Sequence, residues 1–304
     1  MPNTKDAALA GVLTSFAADS LALGAHWIYD TRLIANKIGR VDSLMAPRPD
    51  SYHKHRGAGD FTHYGDQTFT LLQSVAASGG FDLNDFFRRW KLLFADYDGY
   101  VDGASRNTTS RIDFGEGPES SGANSSDLAG ASRIAPLVLA LREDLPALVA
   151  AARAQTRMTH NNSVVVDTAE FFARAAHAAL TGAQPAEALA HAAEAKYLSA
   201  PIASWLDKGL ELASADTVSA IAQFGQSCNV EGAFPGVVQI IARHGDDLAE
   251  GLVQNVMAGG DSAARGLLAG LVLGCAAGPD AVLQAWVDGM THAAAIKDLA
   301  RSVA

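Results

Sequence analysis

Cysteine is nearly absent. Cys228 and Cys275 are the only two in 304 residues, and neither belongs to a Cys-x-x-Cys pair, so a disulfide framework and the common zinc and redox patterns are excluded. Buried thiols in a reducing cytoplasm are the expected state. Positive charge is also scarce. The formal net charge is −10, and no basic run is interleaved with aromatics, which excludes the usual electrostatic footprint of a nucleic acid partner. No strand-linked glycine-rich nucleotide fingerprint occurs. Long uncharged apolar runs are missing too. Ala7–Ala18 is flanked by Asp6 and Asp19 and reads as a helix of the mature chain rather than a signal sequence. Ala263–Gly278 carries Arg265 and is shorter than the ~20 residues a membrane span needs. A cytoplasmic protein without a membrane partner is expected.

Alternating β-branched segments are also lacking, and helical spacing dominates what remains. Leu9, Val12, Leu13, Phe16 and Leu21 recur at three- and four-residue steps, as do Phe86, Trp90, Leu93, Phe94 and Tyr97 after the turn at Gly79-Gly80. The same pattern predicts helices over roughly 68–78, 127–142, 145–155, 162–181, 186–198, 218–224, 233–244, 247–257, 261–276 and 279–301. The fold class is therefore all-α, with residues 1–304 forming one domain. Gly266, Gly270 and Gly274 lie four apart on one helix face, where a neighbouring backbone can pack. Two polar stretches, 45–65 and 98–126, read as loops, and the longer is expected to border a functional cleft.

Several polar residues have both a structural and a chemical reading. Asp261, after Gly259-Gly260 and before small residues, suits a helix N-cap, and Asp66 suits a cap for a helix near Thr68. Asp19 on a helix edge is either solvated or paired, or it faces a cleft. Arg133 on an apolar helix calls for a buried acid or a loop carbonyl, and His160 for helix-start hydrogen bonding. His26, beside Trp27, is a satisfied core histidine or a ligand contact. His53, His55 and His63 lack a regular metal spacing and read as a solvated loop.

Five pieces in chain order carry a resemblance to a known family. They are Gly11–Gly24, Gly65-Asp-Gln-Thr68, Asn124–Leu137, Met158-Thr-His160 and Asn255–Gly274. Together they resemble the ADP-ribosylglycohydrolase family, whose metal-binding segments are usually written T-D-D-T and G-G-D-T-D-T. Ala25–Asp30 and Asp127–Arg133 are most similar to the branch holding selenoprotein J and the J crystallins.

The resemblance implies an all-α domain with two magnesium ions that orient an ADP-ribosyl group while water is activated for glycosidic cleavage. Asp66, Thr68 and Asp261 occupy metal-binding positions, with Asp66 and Asp261 as the catalytic acids. Gly65, Gln67, Ser262, Ala263 and Ala264 replace the family's threonines and second aspartates. Two surviving carboxylates balance one divalent ion rather than two, so a single Mg²⁺ or Mn²⁺ is the expected cofactor. Arg265, one turn beyond Asp261, is the competing fixed cation. The implied substrate contacts are Asp19, His26, Asn124, Ser125, Asp127, Arg265 and the backbone amides of Gly259 and Gly260. The expected activity is hydrolysis of an N- or O-glycosidic bond in an ADP-ribosyl or related ribosyl compound, small or protein-linked. The alternative is a non-catalytic binding or structural protein with the same fold. Substrate, scissile bond and oligomeric state stay open.

Overall fold

Asn3 opens the first helix, Thr4–Leu23, by accepting hydrogen bonds from the amides of Lys5 and Asp6. In the computed structural model, which describes residues 3–304, the regular structure among the described residues is helical, with two isolated β-bridges and no strand. The first helix lies along Ser262–Ala277 at backbone contact. A β-carbon added at Gly270 or Gly274 would fall 2.9 Å from the carbonyl oxygen of Thr14 or Ala10. Ser15 Oγ donates to the Leu267 carbonyl at 2.8 Å, tying the pair together. Thr4–Leu23 is by composition long and apolar enough to cross a membrane, yet 83% of its apolar window is buried inside the fold. It is the core helix against which others pack.

Around this pair, one hydrophobic cluster extends from Ala7 to Ala300 and includes Phe16, Phe61, Trp90, Phe171, Phe172 and Phe234. The helix His63–Ser78 begins five residues before the predicted start because Thr62, not Asp66, is its N-cap. Asp66 therefore sits inside the first turn. The expected helix over 127–142 divides into Ala129–Ser132 and Ala135–Ala140, with Pro136 in the first turn of the second piece, where its missing N–H costs nothing. The expected helix over 279–301 likewise becomes Pro279–Ala281, Gln284–Gly289 and Ala293–Val303.

The 98–126 stretch is not all loop. Asp102 accepts from the Ser105 amide and caps a helix, Gly103–Asp113, that apolar periodicity missed because its sequence is almost entirely polar. The helix Ile202–Glu211 was also unforeseen. His53 and His63 are buried rather than solvated, because they pack against Trp27, Tyr64 and Tyr100.

Candidate functional site

Asp261 ends the diglycine turn and caps Ser262–Ala277, its Oδ1 accepting from the Ala264 amide at 3.3 Å. The other oxygen accepts the Tyr64 hydroxyl at 2.9 Å. Two further groups join it from elsewhere in the chain. Leu128 N donates to Cys228 O and Val230 N to Ser126 O, both at 2.9 Å, so a short antiparallel bridge pairs Asp127 with Asn229 and brings the adjacent Cys228 to it. Ligand atoms of Asp127, Cys228 and Asp261 all lie within 4.8 Å of one another. Burial, and then the nearby Asp261, push the Asp127 carboxyl up to about 7, while its Oδ1 has no partner. Burial also raises Asp261, against the opposing pull of Arg265 and the Tyr64 hydrogen bond. Burial and the Asp127 charge push the Cys228 thiol up. Asp261 is buried while Asp127 and Cys228 are half-buried, and two carboxylates this close away from bulk water need a shared proton or a cation between them.

The group expected from the family pattern, Asp66 with Thr68 and Asp261, is not assembled. Tyr64 and Asp66 are two residues apart on one helix, about 200° around its axis, so a helix that aims Tyr64 at Asp261 turns Asp66 away. Asp66 Oδ2 instead accepts from Arg56 Nη2 at 2.7 Å and from the Tyr97 hydroxyl at 2.6 Å. Thr68 is buried, and its hydroxyl donates back to the Tyr64 carbonyl at 2.8 Å. The acid beside Asp261 is Asp127, which the sequence placed among substrate contacts.

Asp19, near the end of Thr4–Leu23, is buried against the start of His63–Ser78. It accepts from Thr62 N at 2.8 Å and Thr62 Oγ1 at 2.6 Å, and burial pushes its carboxyl up to about 8. A β-carbon at residue 65 would come within 2.4 Å of Asp19 Oδ2, which explains Gly65 where the family has threonine. Gln67, in place of the family's second aspartate, uses its side-chain oxygen to accept from Trp90 Nε1 and Arg133 Nη1, both at 2.8 Å. Arg133 thus meets an amide oxygen rather than an acid. His160 Nδ1 lies 2.9 Å from Thr159 Oγ1.

The backbone amides of Gly259 and Gly260 are not free for an anion. Gly259 N donates to Val256 O at 2.9 Å and Gly260 N to Ile28 O at 2.8 Å. Both residues have positive φ, 68° and 64°, and a β-carbon on Gly260 would strike the Gln226 carbonyl at 2.1 Å, so these glycines build the turn. Arg265 is not a bidentate partner of the acids. Its Nε donates to Asn255 Oδ1 at 3.1 Å and its Nη2 to Gly259 O at 2.6 Å, and it makes no ion pair within 4 Å among the described residues. It holds the diglycine turn and reaches Asp261 only through space.

His26 is buried and stacks on Trp27 at 4.6 Å, with neither ring nitrogen partnered, so it is not a satisfied core histidine. Burial and the neighbouring His53 keep it neutral by lowering its pKa. Asn124 is exposed and accepts from Asn162 Nδ2 at 3.0 Å, while Ser125 Oγ accepts from the Asp127 amide at 3.3 Å and shapes the turn that presents Asp127. Sequence reasoning missed Cys228, which carries no local motif, and Trp27. With φ of 63°, Trp27 is, among the described residues, the non-glycine residue in the left-handed region, a strained geometry that sets its ring between the acid group and the His53–His63 pair.

A sequence model described as ADP-ribosylglycohydrolase matches residues 1–304. The chain is 24% identical to Crystallin J1A of Tripedalia cystophora over 261 residues, covering 80% of this chain and 79% of the crystallin. Crystallin J1B of the same animal is also 24% identical, over 260 residues with the same coverage. Among solved structures, an ADP-ribosylglycohydrolase-related protein complex aligns with a TM-score of 0.74 at 22% identity, covering 99% of this chain and 97% of that one. The chain belongs to the ADP-ribosylglycohydrolase family, and that membership together with the shared fold supports a glycohydrolase-type function.

Proposed function

We propose that the chain hydrolyses an N- or O-glycosidic bond of an ADP-ribosyl or related ribosyl compound where Asp127, Cys228 and Asp261 meet. The observation that carries this reading is Asp127. The family's second aspartate in the last segment is Ala263 here, and Asp127 brings a carboxylate to Asp261 from a different segment. The donor set, two carboxylates with an unpartnered oxygen on one, fits a single divalent cation better than a dinuclear centre. Asp127 and Asp261 would hold magnesium or manganese, which when bound supplies positive charge that orients ribosyl hydroxyls.

In the chain itself, Tyr64 and the Ala264 amide fix Asp261, so its carboxylate can face the positive charge that develops at the anomeric carbon as the bond to the leaving atom breaks. Burial and then the nearby Asp261 push the Asp127 carboxyl up, and its unpartnered Oδ1 serves one partner at a time: a bound cation or, without one, the proton of the attacking water, which it can pass to the leaving atom. Tyr29 is half-exposed and lies close enough that, after burial, the Asp261 charge raises its hydroxyl pKa. The test is ADP-ribose release from arginine-linked and serine-linked ADP-ribosyl peptides, with Asp127→Asn and Asp261→Asn as controls. Turnover that both substitutions abolish supports the reading, and turnover that survives both defeats it.

The replacements Gln67, Ala263 and Ala264 favour a second reading, a non-catalytic protein like the J crystallins it is similar to. Failure to turn over either linkage with millimolar Mg²⁺ or Mn²⁺ supports that reading instead.

A further inference from the structure

A cavity lies beyond Trp27 from the acid group, between segments 52–56 and 98–101. Its volume is about 390 Å³, within the range of small-ligand sites, and its lining includes Tyr52, His53, Lys54, Arg56, Tyr100 and Arg106. In a chain of net charge −10, three of these side chains are cationic, against Asp98 as the acid in the lining. Asp66 grips Arg56 from behind through Nη2, and the guanidinium lies 5.4 Å from the Tyr97 ring centre. The arginine is thus fixed before any ligand arrives. Its Nε–H is buried and has no partner.

The floor is His53, 2% exposed, backed by a second histidine and an acid. His53 Nε2 lies 3.3 Å from His63 Nδ1, and His63 Nε2 lies 3.5 Å from Asp102 Oδ2. Asp102 is held in turn by Ser105 N and Oγ. The Asp102 charge, 3.5 Å away without a hydrogen bond, favours a proton on His63 Nε2, and in that tautomer Nδ1 accepts from His53 Nε2–H. His53 Nδ1 is then a bare lone pair, and it has no partner in the protein. The cavity therefore offers a buried acceptor for a hydroxyl and a buried donor for an anion.

Ring geometry narrows the class. Tyr52 and Tyr100 meet edge to face with centroids 5.3 Å apart, so no slot remains between them for a flat aromatic ring. Tyr52, 66% exposed, instead presents a face on which the C–H side of a sugar can lie. We propose that this cavity binds a phosphorylated sugar, with a hydroxyl donating to His53 Nδ1 and the phosphate held by Arg56 Nε, Lys54 and Arg106. Binding here needs no turnover at Asp127 and Asp261, so the site stands or falls apart from the glycohydrolase reading.

The experiment is calorimetric titration of the full chain with ribose 5-phosphate, inorganic phosphate and ribose. Ribose 5-phosphate is expected to bind more tightly than either fragment. His53→Leu should weaken it by about tenfold or more while phosphate binding is unchanged, because one hydroxyl loses its acceptor. Arg106→Ala should weaken both phosphate-bearing probes, Tyr52→Ala should weaken those carrying a sugar, and Asp261→Asn should leave all three alone. If His53→Leu does not fold, as judged by its melting curve, the Tyr52 and Arg106 substitutions decide. No binding at millimolar ligand, equal affinity for phosphate and ribose 5-phosphate, or loss of binding in Asp261→Asn overturns the proposal.

Discussion

Tyr64 donates its hydroxyl to Asp261 Oδ2 at 2.9 Å although 197 positions separate them in sequence. Both side chains are buried, so the bond fixes the carboxylate and joins the start of His63–Ser78 to the start of Ser262–Ala277. Tyr64→Phe keeps the ring and deletes one donor to a buried carboxylate. We expect about 1–3 kcal/mol lost from stability and a fall in glycosidic turnover larger than any rise in KM. Urea denaturation and steady-state kinetics on one preparation check both. An unchanged kcat would show that Asp261 needs no orientation from Tyr64.

Asp19 gives a pH dependence with a definite sign. Its folded pKa is raised to about 8 by burial, above the ordinary value of 3.8. A group raised in this way contributes stability that is fully present below the unfolded value and is lost as pH rises through the folded value. Between those limits the slope approaches about 1.4 kcal/mol per pH unit for one group. Asp19→Asn should remove that decline, so the variant gains on the parent as pH rises from 5 to 8. Equal slopes for the two proteins in that window would contradict the assignment.

The helical class and a face at Gly266–Gly274 open to close packing were legible because apolar spacing and small-residue spacing are local signals, but that the first helix fills that face was not. Gly103–Asp113 was not, since its one clear signal is the Asp102 cap and its faces are polar. The site was half legible. Asp261 was read as an acid of the site with Asp66 beside it, and Asp127 only as a substrate contact; which acid accompanies Asp261 depends on where a helix begins. Thr62 rather than Asp66 as cap decides the direction in which Asp66 points. Cys228 reaches the site through a single backbone bridge, and no spacing rule encodes such a contact.

The diglycine turn tests whether backbone geometry or anion binding explains Gly260. Its φ is 64° and an added β-carbon would meet Gln226 O at 2.1 Å, whereas nothing lies within 4 Å of the same atom on Gly80. Gly260→Ala should lower stability by about 2–4 kcal/mol, and Gly80→Ala by less than about 1 kcal/mol. Thermal melts of the two variants beside the parent provide the comparison. Similar losses in both would mean that the turn relaxes and that its strain is unimportant.

Arg265 and a divalent cation can both offset Asp261, and the structure separates their roles. The guanidinium is engaged by Asn255 Oδ1 and the carbonyls of Asn255 and Gly259, so it is a brace for the turn whose charge reaches Asp261 without a hydrogen bond. Asp127 Oδ1 has no protein partner, and Cys228 Sγ stands within 4.8 Å of both carboxylates. A hard ion such as Mn²⁺ should use the oxygens, and a soft ion such as Cd²⁺ the sulfur as well. Asp127→Asn is therefore expected to weaken both ions on the order of tenfold, and Cys228→Ser to weaken Cd²⁺ while sparing Mn²⁺. Arg265→Ala should cost stability, about 2–4 kcal/mol, because it strands buried carbonyls, and should tighten Mn²⁺ only modestly. Calorimetric titration of the parent and the three variants reads every arm. Mn²⁺ affinity indifferent to Asp127→Asn would place the ion elsewhere, and a large gain in Arg265→Ala would mean that the arginine, not the acid pair, sets the charge balance.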